Sequence, residues 1–181
     1  MSADAFDTVW INGSVGAGKS TTAAQLGEEL KRRGVPGAVI DVDELRRSWP
    51  SPDGDPFGTE VALVNLEAVA GNYRMRGAQL VVIAGVIESR EELTRSADVV
   101  GTRRMLHVRL TIERDCAIDR LRTRHDHDAS GLEWHERRHP ELAQILDRAG
   151  FENDVVFDTS TTTAAEVARK IADVLLPAGR E

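Results

Sequence analysis

Apolar residues gather in five short runs along the chain, TVWI at 8–11, AVI at 38–40, QLVVIAG at 79–85, MLHVRL at 105–110 and DVVFD at 154–158, with helical patterns between them. Runs without polar alternation are the signature of strands buried on both faces. Strands that alternate with helices predict a parallel sheet covered on both sides, because crossover connections are right-handed. The last helix is the clearest: Val167, Ile171, Val174 and Leu175 fall on one face, Thr163 and Glu166 form a capping box, and Pro177 stops it. Ser89 and Glu92 predict a second capping box after the third strand. Two stretches follow neither period. SWPSPDGDPFG at 48–58 is rich in proline and glycine, and RTRHDHDASGLEWHERRHPEL at 122–142 is charged and poor in aliphatics, so both are expected to be irregular and the second to act as a lid.

Composition narrows the picture. A chain of 181 residues fits one domain over 1–181, and 30 acidic against 23 basic residues give a net charge of -7. Scattered bases on an acidic chain argue against nucleic acid or an anionic membrane as the main partner and leave a small anionic ligand met by local arginines. The lone Cys116 offers no disulfide framework. Acids occupy the amino terminus where a signal peptide carries bases, and no uncharged apolar run approaches membrane length, which predicts a cytoplasmic protein. Oligomeric state is set by none of these features.

Chemistry enters at residues 13–20, GSVGAGKS, which complete the pattern G-x-x-x-x-G-K-[ST] between a predicted strand and a predicted helix. Backbone N–H groups of such a turn, with the positive end of the following helix, cradle phosphate oxygens. Gly13, Ser14, Val15, Gly16, Ala17, Gly18, Lys19, Ser20 and Thr21 are therefore the candidate ATP-binding residues. Lys19 is expected to reach the β- and γ-phosphates and Ser20 to ligate Mg2+.

The second strand ends in DVD, and the carboxyl ends of parallel strands are where such sheets bind ligands. Asp41 is assigned to the metal and Asp43 to the acceptor hydroxyl, with helix capping as the alternative for either. Arg46, Trp49 and Phe57 are candidate acceptor contacts, set against an exposed arginine and two apolar plugs under a loop. Arg120 and Arg124, four apart on one helix, are candidates for the transferring phosphate, followed by Arg137 and Arg138; a solvated charged face is the alternative. His125, His127, His135 and His139 crowd the same segment, and His135 with His139 have metal-ligand spacing, although no thiolate lies near. Asp158, Thr159 and Ser160 close the last strand and are assigned to the adenine side, or to capping without a ligand.

With these motifs the chain resembles the small P-loop kinases of the nucleoside-monophosphate-kinase-like group, over nearly its whole length. NGSVGAGKSTTAAQLGEELKRRGVPGAVIDVDELR at 12–46 is similar to the phosphate loop, first helix and D-G-D-x-x-R segment of adenylylsulfate kinases, with Val42 in place of the glycine. The DVD pair also resembles shikimate kinase. The resemblance implies a three-layer α/β P-loop fold with a five-stranded parallel sheet of order 2-3-1-4-5, a mobile lid, and transfer of the γ-phosphate of ATP to a small-molecule acceptor. It also brings Asn65 forward as an acceptor residue. In adenylylsulfate kinases paired arginines follow that asparagine, and here they do not; their lysine-rich lid is replaced by the histidine-bearing segment. The expectation is a kinase of unspecified acceptor, adenylylsulfate among the candidates, with a regulatory ATPase or nucleotide switch as the alternative.

Overall fold

The computed structural model describes residues 5–124, 129–152 and 155–177. Its elements run β1 (Thr8–Gly13), α1 (Lys19–Arg32), β2 (Gly37–Asp41), α2 (Val42–Leu45), α3 (Thr59–Met75), β3 (Leu80–Ala84), α4 (Arg90–Val100), β4 (Met105–Thr111), α5 (Arg114–Arg124), α6 (Ala129–Arg148), β5 (Val155–Asp158) and α7 (Ala164–Leu175). Five strands form one sheet of order β2-β3-β1-β4-β5. Every pairing is parallel. All five apolar runs become strands; Asp154 of the last lies outside the described residues.

Position in the sheet decides burial. Central β1 and β3 are buried at every residue, whereas edge strands β2 and β5 alternate toward solvent. On one face Val9, Ile11, Val82 and Val108 pack against Leu26 and Leu30 of α1 and Val167 and Ile171 of α7. On the other, Trp10, Val81 and Ile83 pack against Ala62, Leu66 and Ala70 of α3. Burying a side chain of this size stabilises by about 1.5–3 kcal/mol, so the two layers fix the carboxyl ends of the strands along one edge.

Thr163 and Glu166 form the predicted capping box at α7. At α4 only half of one forms: Ser89 Oγ accepts from Glu92 N at 3.1 Å, but the Glu92 carboxylate accepts from Glu88 N at 2.7 Å, one residue upstream of the cap. Residues 48–58 lack helix and strand as expected, and the Asp55 carboxylate accepts from Thr59 N at 2.6 Å and Glu60 N at 2.9 Å to start α3.

The segment 122–142 corrects the sequence reading. It is not irregular where it is described: α5 continues to Arg124 and α6 covers Ala129–Arg148, with Pro140 inside. Of its residues only His139, Leu142 and Leu146 are buried, while Trp134, His135 and Arg138 line the cavity. A helix lining a site buries a narrower stripe than one packed on a core, which hides its period.

Candidate active site

At the carboxyl edge the glycine loop wraps the end of β1. Gly13 pairs with Leu110 of β4, and a Cβ there would stand 2.8 Å from the Leu110 carbonyl oxygen. Gly16 and Gly18 have φ of +80° and +88°, conformations that L side chains rarely adopt. Ser14 and Ala17 are buried beneath the turn, and Val15, Gly16, Gly18, Lys19, Ser20 and Thr21 line a cavity of about 740 Å³.

Lys19 opens α1 and folds back under the loop, donating to Gly13 O at 3.0 Å and Ser14 O at 3.2 Å. Burial pulls its ammonium down to about 8, although Asp43 and Asp41 hold it up. The first turn of α1 contains no acid, so its positive end faces the cavity without a carboxylate from that turn.

Both aspartates of DVD reach the cavity because β2 stops at Asp41 and α2 begins at Val42, turning the chain at the strand end. Asp41 does cap this helix, its Oδ1 accepting from Asp43 N at 3.0 Å. Capping and cavity lining therefore coexist at one residue. Arg46 lines the cavity too, with Nε 3.5 Å from Asp43 Oδ1 and Nη1 donating to Phe57 O at 3.3 Å.

Arg120 and Arg124 line the opposite wall. Arg120 is held by backbone: Nη1 donates to Gly16 O at 3.3 Å and Nη2 to Thr159 O at 2.6 Å. Thr159 is itself buried, its hydroxyl within 3.1 Å of Ala17 O and 3.0 Å of Thr111 O. Ser160 accepts from Glu113 N, and Asp158 accepts from Ser160 N. Thr159 ties the loop after β5 to the glycine loop, Ser160 ties it to the segment before α5, and all three residues stand outside the cavity lining. Trp49, 88% exposed, and Asn65, which donates to Leu45 O at 2.7 Å, also stand outside it; Phe57 lines it.

Several residues escaped the sequence reading. Asn12, fully buried in β1, accepts from Gly13 N at 2.8 Å and Ile87 N at 3.3 Å and donates to Ile87 O at 2.9 Å, fastening the glycine loop to the segment after β3. A polar residue inside the run WING was its only signal. Glu88, Glu92 and Trp134 line the cavity, Glu88 pairing with Arg138 of α6. Burial raises the Glu92 carboxyl above the usual carboxylate range. His139 is buried with Nδ1 2.8 Å from Val15 O; a carbonyl only accepts, so that nitrogen carries the proton.

Among the described residues no group of three or more His, Cys, Asp or Glu could hold a metal ion. His125 and His127 lie outside the described residues. No described helix is long and apolar enough to cross a membrane.

The Adenylylsulphate kinase family matches residues 6–122. An adenylyl-sulfate kinase of Paraburkholderia xenovorans is 39% identical over 103 residues, which are 56% of each protein, so the chain spans about half the length of this relative. Two solved structures share the fold. The Mycobacterium tuberculosis APS kinase in complex with AMPPNP and APS superposes with a TM-score of 0.63 at 21% identity, covering 94% of this chain and 98% of that one. Shikimate kinase from Acinetobacter baumannii in complex with shikimate gives 0.62 at 19%, covering 97% and 96%. The matched stretch holds β1 to most of α5, with the glycine loop and the DVD pair inside it, and on that match the chain belongs to the adenylylsulphate kinase family.

Proposed function

We propose that the chain is an ATP-dependent small-molecule kinase that transfers the γ-phosphoryl group of Mg-ATP to a hydroxyl of a small acceptor. The observation that carries the reading is the single cavity in which Lys19 and the glycine loop face Asp41 and Asp43. One wall suits a triphosphate and the other suits a hydroxyl nucleophile, at the strand edge where open α/β sheets bind ligands.

In this reading the loop N–H groups and Lys19 hold the phosphates, and Arg120 and Arg124 add charge to the transferring group. Asp43 accepts the hydrogen bond of the acceptor hydroxyl and orients it for in-line attack. Ser20 and Asp41 offer the hard oxygen donors that would hold Mg2+, which would supply neutralisation of phosphate charge. Leu142 and Trp134 of α6 help exclude water from the cavity, the service a lid provides, and the expected compartment is the cytoplasm. Family membership makes adenylylsulfate the first acceptor to assay.

Asp43→Asn tests the assignment. Turnover with acceptor should fall by about 10²-fold while Mg-AMP-PNP affinity stays within about twofold. Equal losses in both measurements move Asp43 from the acceptor to the metal.

A further inference from the structure

Five consecutive carbonyl groups of the glycine loop are each met by a side chain. Lys19 donates to those of Gly13 and Ser14, Arg120 to that of Gly16, and the Thr159 hydroxyl lies 3.1 Å from that of Ala17. The remaining one, Val15 O, accepts from His139 Nδ1 at 2.8 Å. His139 belongs to α6, is 3% exposed, and lies beyond residue 122, where the family match ends. The reaction proposed above gives it no part.

A held carbonyl fixes its whole peptide unit. The Val15–Gly16 peptide is trans, so its C=O and N–H point in opposite directions. With Val15 O turned toward the buried imidazole, the Gly16 N–H turns the other way, toward the cavity that Gly16 lines. Among the described residues no group accepts from that N–H, whereas the next one, Ala17 N, donates to Ser14 O at 3.3 Å. This peptide is also one that can turn over, because glycine tolerates both signs of φ, and Gly16 sits at +80°. Reversed, it would set a carbonyl dipole where a phosphate oxygen binds. A buried donor on Val15 O selects against the reversed form, which leaves that donor unsatisfied.

Resting on the kinase reading above, we infer that His139 is a positioning residue of the phosphate site: by holding Val15 O it aims the Gly16 N–H at an oxygen of the bound triphosphate. The imidazole itself touches neither nucleotide nor acceptor. Its effect reaches the phosphate through one peptide unit.

The test compares His139→Leu, which removes the donor, with His139→Asn, whose side-chain amide can donate from the position of Nδ1. Calorimetry with Mg-AMP-PNP and with adenosine reads affinity, and NMR spectra of protein labelled in its glycine amides read the loop. His139→Leu should bind Mg-AMP-PNP about tenfold more weakly and adenosine within about twofold of the parent, and His139→Asn should recover most of the loss. In the parent, the Gly16 and Gly18 amides should both move downfield when Mg-AMP-PNP binds. In His139→Leu the Gly16 shift should collapse while that of Gly18, whose preceding carbonyl is met by Thr159 rather than α6, persists. Unchanged triphosphate affinity in His139→Leu overturns the inference, as do an equal loss for adenosine, a failure of His139→Asn to rescue, or a Gly16 shift that survives the substitution. A Gly16 amide that stays still in the parent overturns it without any variant. The two readings fail differently. If the affinity and amide results hold while no acceptor stimulates ADP release, the kinase falls and the positioning role stays; acceptor-stimulated release with an unmoved Gly16 amide keeps the kinase and removes the role.

Discussion

The two walls of the cavity are built in different ways. The glycine-loop wall is backbone: carbonyls of Gly13 and Ser14 hold Lys19, carbonyls of Gly16 and Thr159 hold Arg120, and the carbonyl of Val15 meets His139. The acceptor wall is side chains carried by the four-residue α2, the irregular 48–58 segment and one face of α6. A triphosphate is the same in every such enzyme and can be met by fixed backbone, whereas acceptors differ and are met by residues that substitution changes without disturbing the sheet. In the proposed kinase the glycine-loop wall meets the triphosphate and the acceptor wall meets the varying substrate.

Lys19→Ala should produce the largest loss, about 10²- to 10³-fold or more in turnover, with Tm within a few degrees of the parent, because the side chain serves the transferred charge and contributes little to the core. Steady-state ADP release and a thermal melt check both halves of the statement. Turnover close to the parent's would break the comparison at its stronger side.

Substitutions that probe rigidity come next. Gly13→Ala places a Cβ 2.8 Å from Leu110 O and should cost about 1–3 kcal/mol in chemical denaturation, while Phe57→Ala, at 62% exposure on the acceptor side of the cavity, should stay within about 0.5 kcal/mol. If the two variants lose equal stability, the acceptor wall is as firmly built as the glycine loop and the distinction fails.

Smallest is a proton. Lys19 titrates near 8 in the protein because burial disfavours its charge, and phosphate oxygens beside it restore that charge. Nucleotide binding should then take up a fraction of a proton above about pH 8 and none near pH 6, and affinity should decline as pH rises through 8. Calorimetry in two buffers of different ionisation enthalpy reads the uptake. Equal heats in both buffers at pH 8.5 place the titration elsewhere.

Much of this organisation was legible in the sequence. The five apolar runs gave the strands, and G-x-x-x-x-G-K-S between a strand and a helix gave the loop, because that chemistry is written in adjacent residues. Resemblance supplied the strand order. What sequence hid was set by contacts distant along the chain. Thr159 appears as a loop threonine until Ala17 and Arg120 are seen beside it, and α6 appears irregular because its cavity face mixes Trp134 and Leu142 with His135 and Arg138. Glu88 and Glu92 look like ordinary acids at a helix start, and only the fold turns them toward the cavity.

The most direct test of the central claim is ADP release from Mg-ATP in the presence and absence of hydroxyl-bearing acceptors, adenylylsulfate included. The account predicts release that one acceptor class stimulates and that Lys19→Ala abolishes. Saturable ATP binding with only acceptor-independent hydrolysis would contradict it and make the chain a regulatory ATPase.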